Sequence, residues 1–263
     1  MTARCPRDNR QQLASADEHV RAEWLRRIEA EYRSAATTQH LTLWLTQLGA
    51  PHELIQLGLR VAADELDHAR LCADVYLEAE GQGAPALRRE TLCLQRTPGE
   101  PLERDLLRVG VEQLCLGETV AVRIFSRMRV QASVPCVRRA LDRVLRDEVV
   151  HRDFGWTLLD WLLTTPMATA FRQQLSAALP AMLACLRDGY GGRALRRDGL
   201  AQLELRRAEL PRSARAWGLI AELDYLEAFD ETVVRDYAPR LSRLQIGLPQ
   251  GIASARSCDD SLG

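Results

Sequence analysis

The chain contains no lysine; all 35 of its basic residues are arginine, set against 36 acidic residues for a formal net charge of −1. Opposite charges alternate almost everywhere, so the uncompensated basic face that nucleic-acid binding needs is missing. The arginine bias reads as coding composition rather than as function. There is also no C-x-x-C pair. The seven cysteines, Cys5, Cys72, Cys93, Cys115, Cys136, Cys185 and Cys258, are odd in number and scattered, which argues against a zinc ribbon or a disulfide framework and for a reducing cytoplasm. No stretch reaches about 18 uncharged apolar residues, and Met1 to Gln12 has no apolar core, so neither a membrane span nor a secretion signal is expected. Runs of alternating Val, Ile or Thr bounded by turns are missing too, which leaves little room for a sheet.

What is present is apolar residues at 3.6-residue spacing over long stretches, within a chain of 263 residues and 46% hydrophobic content. That size supports a substantial core, and the periodicity predicts an all-α fold. A first helix is expected from near Ser15, which has capping-box spacing to Glu18, to about Leu48, where Gly49-Ala50-Pro51 stops it. A second runs from about Pro51 to Glu80, a third over about Leu102 to Val130, and a fourth from about Cys136 to Leu163. Two short connections and one longer one suit a four-helix bundle over 15–165, preceded by a flexible N-terminus, 1–14. Further helices, packing on the bundle, are expected over 166–247: one from Met167 to Arg187 that Pro180 should kink or break, and one from about Ser213 to Tyr237. A disordered tail is expected over 248–263.

One internal repeat carries the chemistry. Asp64-Glu65-Leu66-Asp67-His68 and Asp147-Glu148-Val149-Val150-His151 spell D-E-x-x-H twice, once in each half of the predicted bundle. Glu and His three apart lie on one helix face and can reach one metal cluster. Each preceding helix offers one carboxylate on its apolar stripe. Glu31 sits among Trp24, Ile28, Ala35, Thr38, Thr42 and Leu45, and Glu118 among Leu107, Val111, Leu114, Cys115, Val122 and Phe125. Glu29 and Glu112 point well away from those stripes. A single E-x-x-H on a helix is usually a solvated salt-bridging face. Two copies, each matched to an upstream glutamate that would be costly to bury unpaired, predict a metal pair held by Glu31, Glu65, His68, Glu118, Glu148 and His151. Two iron ions bridged by carboxylates suit these donors, and manganese or a mixed pair would use the same ones. His19, His40 and His52 are expected to be ordinary.

In these motifs, over about residues 20–165, the chain resembles the ferritin-like di-iron carboxylate proteins. The D-E-x-x-H form is most similar to the bacterial multicomponent monooxygenase hydroxylases. That resemblance implies that Asp64 and Asp147 accept the free N–H of the cross-bundle histidines; the competing reading is that they are surface charges. It likewise places Cys72 where those hydroxylases carry a cysteine, although a small buried core residue is the plainer reading. The chain departs from them at Val122, where they place an active-site threonine.

Three functions compete. An oxygenase or oxidase would activate O2 at the iron pair to oxidise a small organic substrate held against Ala35, Thr38, Cys72, Cys115 and Val122, with a place in a biosynthetic pathway, an electron-donor protein and a homodimeric state as further expectations. The alternative is ferritin- or rubrerythrin-like iron or peroxide handling, and the third is a purely structural bundle. The lack of a four-cysteine iron module and the additional C-terminal helices favour the first. No histidine follows His151, which disfavours di-iron enzymes that recruit a late histidine, though Glu222 or Asp224 could supply a late carboxylate.

Overall fold

The computed structural model describes residues 15–248, so the predicted flexible N-terminus and all but the first residue of the predicted tail lie outside the described residues. Every regular element among the described residues is helical, and none of the helices is long and apolar enough to cross a membrane. Helix α1 (Glu18–Gln47) is capped by Asp17, whose side chain accepts the Val20 N–H at 2.8 Å. The cap is therefore Asp17 rather than Ser15: an aspartate one residue before the first turn is as good an acceptor and is better placed. Gly49, with φ +66°, turns the chain out of α1. Pro51 then leads directly into α2 (His52–Glu78), which packs along α1.

The third predicted helix is not uniform. It comprises α3 (Leu102–Val109), a π-helical segment (Gly110–Gly117) and α4 (Glu118–Gln131). The Glu118 N–H bonds the carbonyl of Gln113, five residues earlier, where an α-helix would reach back four. Helix α5 (Pro135–Leu162) starts with Pro135 in its first turn, where a missing N–H costs nothing. It packs on α2, on α4 and on the π-helical segment.

The later chain departs more from expectation. Helix α6 (Ala168–Arg187) runs through Pro180 without a break, because the proline ring lies on an exposed face where water can take the freed carbonyl. A kink at Asp188–Gly192, with Tyr190 and Gly191 (φ +99°) outside helical geometry, leads into α7 (Arg193–Asp198) and α8 (Leu200–Glu209). The helix predicted from Ser213 to Tyr237 is split into α9 (Arg212–Ala216), α10 (Glu222–Thr232) and a π-helical turn (Val233–Tyr237) that continues into α11 (Ala238–Arg243). Gly218, at φ +80°, makes the break, and its missing side chain lets it sit against Val137, Leu141 and Trp24. Trp24 donates its indole N–H to the Trp217 carbonyl at 3.0 Å, and Ala216 accepts from Ser133 and Val134. Phe171, Leu179, Trp217, Phe229 and Tyr237 belong to the same apolar core as the buried stripes of α1, α2 and α5.

Candidate metal centre

The six residues singled out by their spacing come from α1 (Glu31), α2 (Glu65 and His68), the first residue of α4 (Glu118) and α5 (Glu148 and His151), and their side chains meet in the interior. His68 and His151 are 0% exposed, Glu65 is 1% and Glu148 2% exposed. Glu31 is buried as well, whereas Glu118 is half-buried. The two imidazole rings stand 5.4 Å apart between centroids and both turn Nδ1 inward. His68 Nδ1 lies 3.5 Å from Glu65, 3.8 Å from Glu148 and 3.9 Å from Glu31. His151 Nδ1 lies 3.2 Å from Glu65 and 3.9 Å from Glu148. Glu65, His68 and His151 form one group whose donor atoms all fall within 4.8 Å of one another, and Glu118, Glu148 and His151 form a second. Either group could hold a metal ion.

The polar accounting of the cluster fits a cation. His68 Nδ1, His151 Nδ1 and one oxygen of Glu148 are buried without a hydrogen-bond partner, an expensive arrangement for polar atoms unless something positive binds them. Protonation tells the same story. Burial and then the Glu65 charge push the Glu31 carboxyl well above the ordinary carboxylate range, and burial with the Glu118 charge does the same to Glu148. Glu118 is raised by burial and by Glu65. Glu65 goes the other way: burial acts to raise it, but the imidazoles of His151 and His68 beside it outweigh that and hold it low. His151 is raised in turn, burial being outweighed by Glu65. Without a cation the cluster must therefore take up protons, and a metal ion would replace them.

The outer ring nitrogens face carboxylates of the opposite half. His68 Nε2 is 3.1 Å from Asp147 on α5. His151 Nε2 stands 3.7 Å from Asp64 on α2, beyond hydrogen-bond range. Arg143 spans the two aspartates, with Nε 2.6 Å from Asp147 and one terminal nitrogen 3.1 Å from Asp64. Sequence reading missed Arg143, although its place one turn before Asp147 is a visible i, i+4 signal. It also missed Ser34, one turn after Glu31, whose hydroxyl donates to Glu65 at 2.8 Å.

The expected pocket residues are placed unequally. Ala35 and Thr38 are buried, and the Thr38 hydroxyl has no hydrogen-bond partner. Cys72 points its thiol at Glu31, 4.0 Å away, and burial raises its pKa first, then the Glu31 charge. Cys115 is not positioned as a pocket wall, since its thiol donates to the Gly155 carbonyl at 3.0 Å and ties the π-helical segment to α5. Val122 is half-buried with Glu118 and Phe125, while the fully buried stripe of α4 is Val120, Ile124 and Met128. The extra residue of the π-helical segment rotates the two parts of this helix against each other, so a regular 100° step could not place that stripe. The late carboxylates are engaged elsewhere. Asp224 caps its own helix by accepting the Ala221 N–H at 2.9 Å, and Glu222 is exposed beside Arg206 at 3.1 Å.

Neither protein-family models nor curated protein sequences give a match for this chain. The functional argument therefore stands on the cluster itself.

Proposed function

We propose that the chain is a ferritin-like di-iron protein that uses O2 to oxidise a small organic substrate. The observation that carries this reading is the pair of inward-facing, unpartnered Nδ1 atoms of His68 and His151 among four carboxylates from four separate helical segments. Glu31, Glu65, His68, Glu118, Glu148 and His151 would hold two ions, Glu65 being the carboxylate close to both histidines. Two iron ions so held would supply the electrons and the Lewis acidity that O2 activation needs.

The protein's own part is orientation and enclosure. Asp147, steadied by Arg143, fixes His68 in the tautomer that leaves Nδ1 free to bind metal. Ser34 holds one oxygen of Glu65, and the Cys72 thiol points at Glu31. Among the six candidate ligands, burial keeps bulk water from all but Glu118. That half-buried edge is where O2 and a substrate would enter, beside the kink that carries Tyr190, whose hydroxyl senses the Glu118 charge.

The test is metal stoichiometry followed by oxidation. Protein loaded anaerobically with Fe(II) should saturate at two irons per chain and consume O2 without taking up more. Continued oxidation of tens of irons per chain into a mineral core would replace this reading with iron storage, and failure to bind two ions would remove both.

A further inference from the structure

One turn before Glu31 on α1 lies a charge that the proposed chemistry does not use. Arg27 is 5% exposed, with its guanidinium 4.8 Å from the ring centre of Trp24. Its donors are poorly served. Nε donates to Glu23 at 3.0 Å, but Nη1 has only the thioether of Met128, at 3.2 Å, which is a weak acceptor. Nη2 lies 2.9 Å from the same Glu23 oxygen yet is not aligned for a hydrogen bond, and it has no other partner. Glu23 is meanwhile claimed by Arg26, which grips both of its oxygens at 2.8 and 2.9 Å, and by the Tyr225 hydroxyl at 3.5 Å. One carboxylate thus serves two guanidinium groups, and the buried one is left with a thioether on Nη1 and no aligned acceptor on Nη2.

A structural ion pair with Glu23 is the plainer reading of Arg27. It leaves at least one charged, buried nitrogen without an acceptor, at the full desolvation cost of that donor. Half-buried Tyr225 touches this group through Glu23, and half-buried Tyr190, stacked on Phe229 with centroids 6.2 Å apart, carries a hydroxyl that feels both Glu118 and Arg26.

We propose that Arg27 anchors a carboxylate-bearing substrate, received by Nη1 and Nη2 of its fork, about 6 Å along α1 from Glu31. This rests on the di-metal reading only for where the oxidation occurs. One excess positive charge beside four glutamates suits a monoanion; a phosphate dianion would meet more repulsion from the carboxylates than the single arginine offsets. The short rise to Glu31 implies a small organic acid oxidised a few bonds from its carboxylate.

The experiment is calorimetric titration of the Mn(II)-loaded protein, in which binding is read without turnover, with hexanoate against hexanamide and benzoate against benzamide. At least one acid should bind tenfold or more tighter than its amide. Arg27→Gln should reduce that preference at least tenfold, Arg27→Lys should keep part of it, and Glu23→Gln, which frees the fork, should tighten acid binding. Equal affinity of acid and amide, binding of neither acid, or a preference unchanged in Arg27→Gln would overturn the assignment, the last because the acid would then be bound by the metal. If Arg27→Gln does not fold, Glu23→Gln decides, since an acid affinity that fails to rise there also overturns it. Elemental analysis of each variant, made separately, reports whether the metal pair itself is present, so loss of the centre is not mistaken for loss of the anchor.

Discussion

The two halves of the carboxylate cluster carry the same D-E-x-x-H repeat but are built differently. In the first, Glu31 comes from the middle of an uninterrupted 30-residue helix, is buried, and has Ser34 and Cys72 beside it. In the second, Glu118 follows directly on a π-helical segment and is half-buried. The glycines on the partner helices differ in the same way. A methyl added to Gly58 would meet side chains, the Thr42 hydroxyl at 2.5 Å and Phe154 at 3.1 Å, whereas one added to Gly155 would meet the Leu114 backbone at 2.5 Å. One half is thus a closed wall of regular helix, while the other is irregular backbone pressed against α5 that ends on a half-buried carboxylate. Matching carboxylates and histidines do not require matching helices, and the irregular half is the one whose upstream carboxylate is half-buried.

The largest effects should come from removing ligands, and they should differ between the halves. Glu65 lies within 3.5 Å of both histidine Nδ1 atoms, so Glu65→Ala should cost both ions. Glu118→Ala, at the open edge, should leave at least one ion in the group of Glu65, His68 and His151. Elemental analysis after anaerobic loading checks this, and equal losses in the two variants would erase the asymmetry.

Next comes pH. Glu31 and Glu148 have folded-state pKa values raised above their unfolded ones, as does His151, so the folded chain binds more protons than the unfolded chain above the ordinary carboxylate range. These groups stabilise the metal-free protein fully at low pH, and that contribution is lost as pH rises through the raised values. Glu65, held low, contributes above the carboxylate range and only offsets part of this. Metal-free protein should therefore melt at lower temperature at pH 8 than at pH 6. Metal displaces the same protons, so the gain on adding Mn(II) should grow with pH. At a hundredfold excess over the dissociation constant that gain is about 2.7 kcal/mol, or roughly 5–10 °C for a chain of this size. Scanning calorimetry across this range checks both signs.

Much of this was legible because α-helical periodicity and a doubled motif are strong signals. The stripe around Glu31 is buried as its 100° spacing implies, and the Glu and His of both repeats are buried together. The π-helical segment was not legible, since nothing in Gly110–Gly117 distinguishes a five-residue hydrogen bond from a four-residue one; it is selected by contacts such as Gly155 against Leu114 and Cys115. The break at Gly218 was present in the sequence but masked by the helical pattern on either side. Arg27 was hidden among 35 arginines, because its burial depends on Met128 and Trp24 closing over it.

The two glycines give a smaller and cleaner contrast. Gly155→Ala overpacks backbone on backbone and should destabilise by about 1–3 kcal/mol, whereas Gly58→Ala should cost less because it meets side chains, Thr42 and Phe154, rather than backbone. Urea denaturation of the metal-free proteins reads both, and a larger loss for Gly58→Ala would reverse the assignment of rigid and adjustable contacts.

The smallest expected effect is the most local one. A π-helical turn leaves carbonyls out of register with their usual donors, and here side chains supply them: the Thr119 hydroxyl donates to Cys115 at 2.5 Å while accepting from Trp156, and the Tyr237 hydroxyl donates to the Leu116 carbonyl at 2.5 Å. Tyr237 is fully buried and comes from the end of the chain, so the late helices help to hold the segment that sets Glu118. Tyr237→Phe keeps the ring and removes only that donor, leaving a buried carbonyl unsatisfied at a cost of about 1 kcal/mol. It should lower urea stability by that amount and weaken metal held through Glu118 more than metal held through Glu65, read as two unequal steps in an Mn(II) titration. Loss of stability with both steps unchanged would make Tyr237 a packing residue, and the irregular half would then owe its form to Gly155 and Thr119 alone.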